Sequence, residues 1–250
     1  MKYKCIIFDC DGTLLDTLGD ISCAMNKALS LRGFPVIPQE KYRGMVGWGI
    51  YKLAELALPQ EARCESNIKT LGDCAAQFME EAQQKQQTNE NRPAALYSED
   101  TCAGTKPYPG INETLVKLSN LKLPRNKKLS LAVLSNKPDF VLNQVIKYYF
   151  PEINFDAVYG MRTAKAVCGD MSPKPDPAIV WELLTELDCL PQDTIFAGDS
   201  EIDIETARNA GCFPLGVSWG FRSRAVLEKA GAARIIDKPC ELFKFLEAPG

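Results

Sequence analysis

Three short apolar runs in this chain stop abruptly at polar clusters. Ile6-Ile7-Phe8 runs into Asp9-Cys10-Asp11-Gly12-Thr13. Leu129–Leu134 runs into Ser135-Asn136-Lys137, and Thr194–Ala197 into Gly198-Asp199-Ser200-Glu201-Ile202-Asp203. A fourth cluster, Ser172-Pro173-Lys174-Pro175-Asp176-Pro177, precedes a helical stretch. Runs of this length and composition read as strands buried on both faces. Further runs of the same kind fall at Phe155–Tyr159, Phe213–Val217 and Arg234–Ile236. Stretches with helical spacing lie between them, at Ile111–Leu121, Asp139–Tyr149, Pro177–Leu187, Ile202–Ala210 and Ala225–Ala230. Strands that alternate with helices build a parallel sheet covered on both sides. In such sheets ligands bind outside the carboxyl ends of the strands. The four polar clusters are therefore expected at one rim.

The expected fold class is α/β: a Rossmann-like, doubly wound parallel sheet with a smaller all-α domain inserted after the first strand. The inserted segment reads as helices over Thr17–Leu31, Ile50–Ala57 and Glu61–Gln86, without a convincing strand. The expected division is residues 1–16 and 101–250 for the α/β core and 17–100 for the helical domain. Residues 83–106 are polar and read as a long loop or return hinge. Lys106-Pro107-Tyr108-Pro109-Gly110 then reads as a rigid turn into a helix.

Composition narrows the chemistry. The chain has 250 residues, a net charge of −3 and no histidine. No global basic field argues for nucleic acid or an anionic membrane. The N-terminus has no secretory pattern, and no apolar run approaches the roughly 20 residues that span a bilayer. The ten cysteines are scattered, without a CxxC pair. This argues against zinc and for mostly reduced, buried thiols in a cytoplasmic protein. Without histidine, catalysis must run on carboxylates, lysines, hydroxyls or metal.

Asp9, Asp11 and Asp199 offer hard oxygen ligands of the kind Mg²⁺ takes. Ser135 and Lys174 offer donors to an anion, and the turn at Gly12 and Thr13 offers backbone amides for a phosphate nest. Buried acids persist when a cation, a lysine and amides offset their charge. Taken singly, each residue has an ordinary structural reading: a turn for Asp9, Asp11 and Ser135, an N-cap for Asp199, a solvated surface for Lys174. Their weight comes from occurring together and in order.

DCDGT at 9–13, Ser135 after a strand, Lys174 in KPDP and GDSEID at 198–203 resemble the four motifs of the haloacid dehalogenase superfamily. The order is the family's, and the resemblance covers nearly the whole chain. Leu14-Leu15-Asp16-Thr17, Pro107-Tyr108-Pro109-Gly110 and the helical insertion resemble its phosphoglycolate phosphatase-like branch, whose α-helical (C1) cap the insertion matches. The resemblance implies a Mg²⁺-dependent phosphatase. Asp9 would be the nucleophile that forms an aspartyl phosphate, and Asp11 the acid and then the base. Mg²⁺ would be held by Asp9, Asp11 through its backbone carbonyl, and Asp199. Phosphate would be bound by Gly12, Thr13, Ser135, Asn136 and Lys174, with Asp203 behind the metal ligands. Lys174 could also orient Asp9.

The cap of this family touches the leaving part of the substrate. Arg43, Trp48 and Lys52, around the glycine-rich stretch 43–49, are the candidates here, with Arg43 or Lys52 pairing with a substrate carboxylate. Packing for Trp48 and solvation for the two cations are the ordinary alternatives. The expected partner is a small phosphorylated metabolite, phosphoglycolate first, bound by a monomer or homodimer. Pyrophosphate, a nucleotide monophosphate or a sugar phosphate remain open. A phosphosugar mutase is disfavoured by the missing histidine and a phosphonate hydrolase by Asp11, although Lys41 and Lys52 leave the latter open. A silent phospho-ligand binder is disfavoured because every aspartate is retained.

Overall fold

A computed structural model describes residues 2–87, 104–123, 128–161 and 172–247. Most of the expected polar segment 83–106, together with Cys102 and Cys168, lies outside them. The chain divides into two compact units: Met1–Leu15 with Pro107–Gly250, and Asp16–Lys106.

In chain order the strands are β1 (Cys5–Phe8), β2 (Leu15–Asp16), β3 (Lys106–Pro107), β4 (Ser130–Pro138), β5 (Ala157–Met161), β6 (Thr194–Gly198), β7 (Phe213–Val217) and β8 (Arg234–Ile236). The helices are α1 (Leu18–Leu31), α2 (Gln39–Tyr42), α3 (Ile50–Ala57), α4 (Glu65–Gln87), α5 (Ile111–Ser119), α6 (Asp139–Tyr149), α7 (Ala178–Glu186), α8 (Glu201–Ala210), α9 (Arg224–Ala230) and α10 (Phe243–Glu247).

The first unit holds a six-stranded sheet in the order β5-β4-β1-β6-β7-β8. Every pairing along it is parallel. This is the doubly wound α/β fold expected from the alternation of elements. β1 is central, between β4 and β6. Its side chains alternate between two cores. Ile6 and Phe8 join Leu131, Val133 and Ile195 on one face, while Cys5 and Ile7 join Ala132, Leu134 and Phe196 on the other. Burial on both faces is why β1 reads as an unbroken apolar run.

The same alternation answers for the motif after β1. Cys10 continues the Ile6–Phe8 side into the apolar core, where it is fully buried, and the two acids flanking it take the opposite direction. Burial first, then the neighbouring Asp11 carboxylate, pushes the Cys10 thiol well above its usual range. A thiol so placed is poorly suited to oxidation.

Two expectations need correction. Ser135, Asn136 and Lys137, expected just past a strand, lie within β4, whose register against β5 shifts between Leu134 and Pro138. That irregularity lets the strand continue while its end is re-aimed. The thiols are also less uniformly buried than expected. Seven described cysteines are free, of which Cys5, Cys10 and Cys212 are buried and Cys64 and Cys240 are exposed. Cys23 is disulfide-bonded.

The second unit is helical, with α1 against α4 and α3 against α4. In it the Asp20 carboxylate, in the first turn of α1, accepts from the amides of Gly104 and Thr105 and from the Thr105 hydroxyl. Among the described residues no helix is long and apolar enough to cross a membrane.

Because Ile7 is fully buried in the central strand, Ile7→Ala should cost about 2–5 kcal/mol. Urea unfolding should show a lower midpoint with an unchanged slope.

Candidate active site

Ordered by chain position, the motif residues are far apart; the parallel sheet brings them to one rim of the first unit. At the centre stands Lys174, 3% exposed. Its ammonium donates to Asp9 Oδ1 at 2.7 Å, to Asp203 Oδ1 at 2.6 Å and to the Leu134 carbonyl at 3.3 Å. An ammonium has three hydrogens, and three acceptors take them. Burial alone would lower the Lys174 pKa. Asp203 and then Asp9, through charge and hydrogen bonds, outweigh burial and hold it above the usual lysine value. The surface reading of Lys174 fails. Its ammonium is committed to Asp9 and Asp203.

Asp203 is also committed. Its Oδ2 accepts from the Ser200 amide at 3.1 Å and the Ser200 hydroxyl at 2.6 Å, and the Asp203 amide donates back to Ser200 Oγ at 3.4 Å. This reciprocal capping box opens α8 at Ser200. Asp199 is thus one residue outside the cap, and the N-cap reading of it is overturned.

Asp199 is held from two sides. Thr13 Oγ1 donates to its Oδ1 at 3.2 Å, and the Phe221 amide to its Oδ2 at 2.6 Å. The Trp219 indole N–H donates to the Thr13 carbonyl at 3.0 Å, tying the 219–222 loop to the motif after β1. Backbone approaches closely on both sides. A Cβ on Gly12, whose φ is +90°, would stand 2.3 Å from Asp199 Oδ2. A Cβ on Gly220 would stand 2.3 Å from Asp199 Cβ and 2.4 Å from the Gly12 carbonyl. Only glycine fits such contacts.

Three groups expected at the phosphate are engaged elsewhere. The Gly12 amide donates to the Leu15 carbonyl at 2.8 Å. The Thr13 amide donates to the Cys10 carbonyl at 3.3 Å, while its hydroxyl serves Asp199. The Asn136 side chain clasps the Lys174 backbone, accepting from its amide at 2.9 Å and donating to its carbonyl at 3.2 Å. These residues build the loops that carry the acids. Ser135 is at the rim and buried, its Oγ accepting from the Lys137 amide at 3.3 Å.

Asp11 lies at the mouth, with its side chain 14% exposed. Its Oδ1 is 3.2 Å from Lys137 Nζ, close enough for an ion pair but outside hydrogen-bond geometry. The sequence assigns Lys137 no role beyond its place in the 135–137 cluster, and it marks Trp219–Arg222 only as a border of the site, with no physical argument to include it. Lys137 is two residues beyond Ser135, a spacing that names a side only within a strand, and the sequence reading ends that strand at Leu134. For the loop the only signal was a glycine between two aromatics past a strand.

Arg43, Trp48 and Lys52 belong to the second unit. Arg43 Nε donates to Glu40 at 2.8 Å and Lys52 to Glu55 at 2.8 Å. Trp48 is 37% exposed, so the reading of it as a core residue fails.

The donor set suits a divalent cation. Oxygens of Asp9, Asp199 and Asp203 lie within 4.8 Å of one another. Asp203 takes the Lys174 ammonium on one oxygen and the Ser200 cap on the other, whereas Lys174 engages Oδ1 of Asp9 and Asp199 is held by neutral donors, the Thr13 hydroxyl and the Phe221 amide; Asp9 and Asp199 are therefore the better ligands. Burial, and next the Asp203 carboxylate, push Asp9 up to about 7 against the pull of Lys174. Burial, then Asp203 and Asp9, push Asp199 well above the carboxylate range, against the Phe221 amide and Arg222. Crowded carboxylates that disfavour one another's charge are what a hard cation would relieve.

A family model for haloacid dehalogenase-like hydrolases matches residues 6–217. The chain belongs to that family. This hydrolase is 29% identical to a phosphoglycolate phosphatase of Mannheimia succiniciproducens over 245 residues, covering 98% of this chain and 99% of the relative. It is 28% identical to a phosphoglycolate phosphatase of Haemophilus influenzae over the same shares. Among solved structures, a candidate phosphoglycolate phosphatase from Lactobacillus delbrueckii subsp. bulgaricus superposes with a TM-score of 0.78. It is 28% identical, over 98% of this chain and 99% of that one. A haloacid dehalogenase-like family hydrolase from Streptococcus pneumoniae shares the fold, with a TM-score of 0.73 at 20% identity over 98% and 99%.

The raised Asp9 pKa fixes the sign of a pH effect. A carboxyl whose folded pKa exceeds its unfolded value of 3.8 costs the hydrolase stability as pH rises from about 4 to 7. A cation beside Asp9 should offset that cost. Mg²⁺ should therefore raise the melting temperature more at about pH 8 than at about pH 5, in thermal denaturation with and without EDTA. An equal or opposite shift would count against a cation at Asp9.

Proposed function

We propose that this hydrolase is a Mg²⁺-dependent phosphatase of a small phosphomonoester, phosphoglycolate first, acting through an aspartyl phosphate, and that its helical unit is the cap. The observation that carries this reading is the placement of Asp9. The carboxylate stands at the end of the central strand with Oδ1 pinned by a buried lysine, while Asp11, two residues on, remains at the mouth. Family membership and the names of the full-length relatives support it.

In this reading Lys174 does two things. It favours the ionised form of Asp9 against burial, and it fixes the rotamer so that the second oxygen faces phosphorus. The Asp9 oxygen attacks in line and the leaving oxygen departs with a proton from Asp11. Asp11, now a carboxylate, takes a proton from the water that opens the aspartyl phosphate and is restored as the acid. Ser135 offers its hydroxyl hydrogen to a phosphoryl oxygen. Asp9 and Asp199, with the Asp11 carbonyl, would hold Mg²⁺, which supplies charge neutralisation between the anionic nucleophile and the phosphate. Asp203, Ser200 and Asn136 keep Lys174 in place, and Thr13 with the Phe221 amide orients Asp199.

Turnover of p-nitrophenyl phosphate should require Mg²⁺ and stop in EDTA. Asp9→Asn should lower kcat by at least about 10³-fold, since it removes the attacking group and not merely a contact. Phosphoglycolate should lead a panel of phosphorylated metabolites in kcat/KM. Folded protein with no metal-dependent turnover on the whole panel would contradict the proposal.

A further inference from the structure

The reading above leaves Lys137, a half-buried cation beside Asp11, without a role. Lys137 is on β4, two residues beyond Ser135, with its side chain only 10% exposed and its ammonium 3.2 Å from Asp11 Oδ1. Lys174 already serves Asp9, so Lys137 is not needed there. The cations expected to read a substrate carboxylate, Arg43 just after α2 and Lys52 on α3, are paired with Glu40 and Glu55.

A general acid must come within about 3 Å of the oxygen it protonates. An ammonium 3.2 Å from Asp11 is then within about 6 Å of the leaving oxygen. In a phosphomonoester of the type P–O–CH₂–COO⁻, the carboxylate oxygens lie about 3–4 Å from the ester oxygen. One of them can therefore reach Lys137 while the ester oxygen faces Asp11, making a charge-assisted hydrogen bond in a partly desolvated place. A neutral or extended leaving group has nothing to offer that ammonium.

Building on the proposed phosphatase reading, we infer that Lys137 is a specificity residue: it selects phosphomonoesters bearing a carboxylate one carbon from the ester oxygen, by sharing with that carboxylate the ammonium it otherwise holds against Asp11. The substrate's own anion thereby draws Lys137 off the group that must deliver a proton to the leaving oxygen.

The test measures binding apart from turnover. In Asp9→Asn protein, calorimetry compares phosphoglycolate with 2-hydroxyethyl phosphate, which differs only in carrying a hydroxymethyl group where phosphoglycolate has its carboxylate. Phosphoglycolate should bind at least about tenfold tighter, which is 1.4 kcal/mol. Adding K137M should bring the two affinities within about threefold of each other, whereas K137R, which keeps the charge, should preserve the preference. In the Asp9-bearing enzyme, K137M should lower the ratio of kcat/KM for the two esters by a similar factor. A preference that survives K137M, or that is absent before it, overturns the inference and leaves the phosphatase reading standing. An enzyme silent on every ester overturns the phosphatase reading, while the affinity ratio still decides the role of Lys137.

Discussion

The site depends on one buried ammonium. Lys174 joins the end of the central strand, through Asp9, to the first turn of α8, through Asp203, across separations of 165 and 29 residues. Its N–H groups have acceptors, and the Phe196 ring lies beneath it at 5.7 Å. A buried pair of this kind does not add stability by default, because desolvation offsets much of the attraction. What it does is make each charge tolerable only when the others are present. Asp9 would be a poor anion without Lys174, and Lys174 an expensive cation without Asp203. The geometry of Asp9, the proposed nucleophile, is thus tied to the formation of the whole rim.

Around that centre the backbone does much of the positioning. The capping box at Ser200 fixes Asp203 and starts α8. Asn136 holds the backbone of Lys174, so β4 places the lysine although it contributes no charge to it. Gly12 and Gly220 let two loops close on Asp199, and the Trp219 indole ties those loops together. The result is a carboxylate held on both oxygens at a spot where its charge is disfavoured. In the proposed reading that carboxylate is a pre-set ligand, at the cost of local stability, as functional sites commonly show.

Much of this was legible in the chain. Apolar runs of buried strands are recognisable because both faces of β1 are covered, and the abrupt change at Asp9 marks the rim. The bounds of β7, β8, α3 and α6 were read without error, since Phe213–Val217, Arg234–Ile236, Ile50–Ala57 and Asp139–Tyr149 have clear edges. The acids and Lys174 were found because their residue types and order carry the chemistry. What sequence could not show was how donors are allotted. Thr13, Asn136 and Lys174 look like phosphate ligands by composition, and only three-dimensional neighbours reveal that Asp199, Lys174 and Asp9 claim them first. The 219–222 loop could be placed beside the site but given no role for the same reason: its contribution to Asp199 is a backbone amide, which every residue but proline carries.

A crystal structure with Mg²⁺ and beryllium trifluoride would test the central claim most directly. The account predicts beryllium bonded to an Asp9 oxygen and a cation about 2.1 Å from oxygens of Asp9 and Asp199. Lys174 should still lie between Asp9 and Asp203. A fluoride mimic seated away from Asp9, or a cation that displaces Lys174 from Asp203, would contradict it.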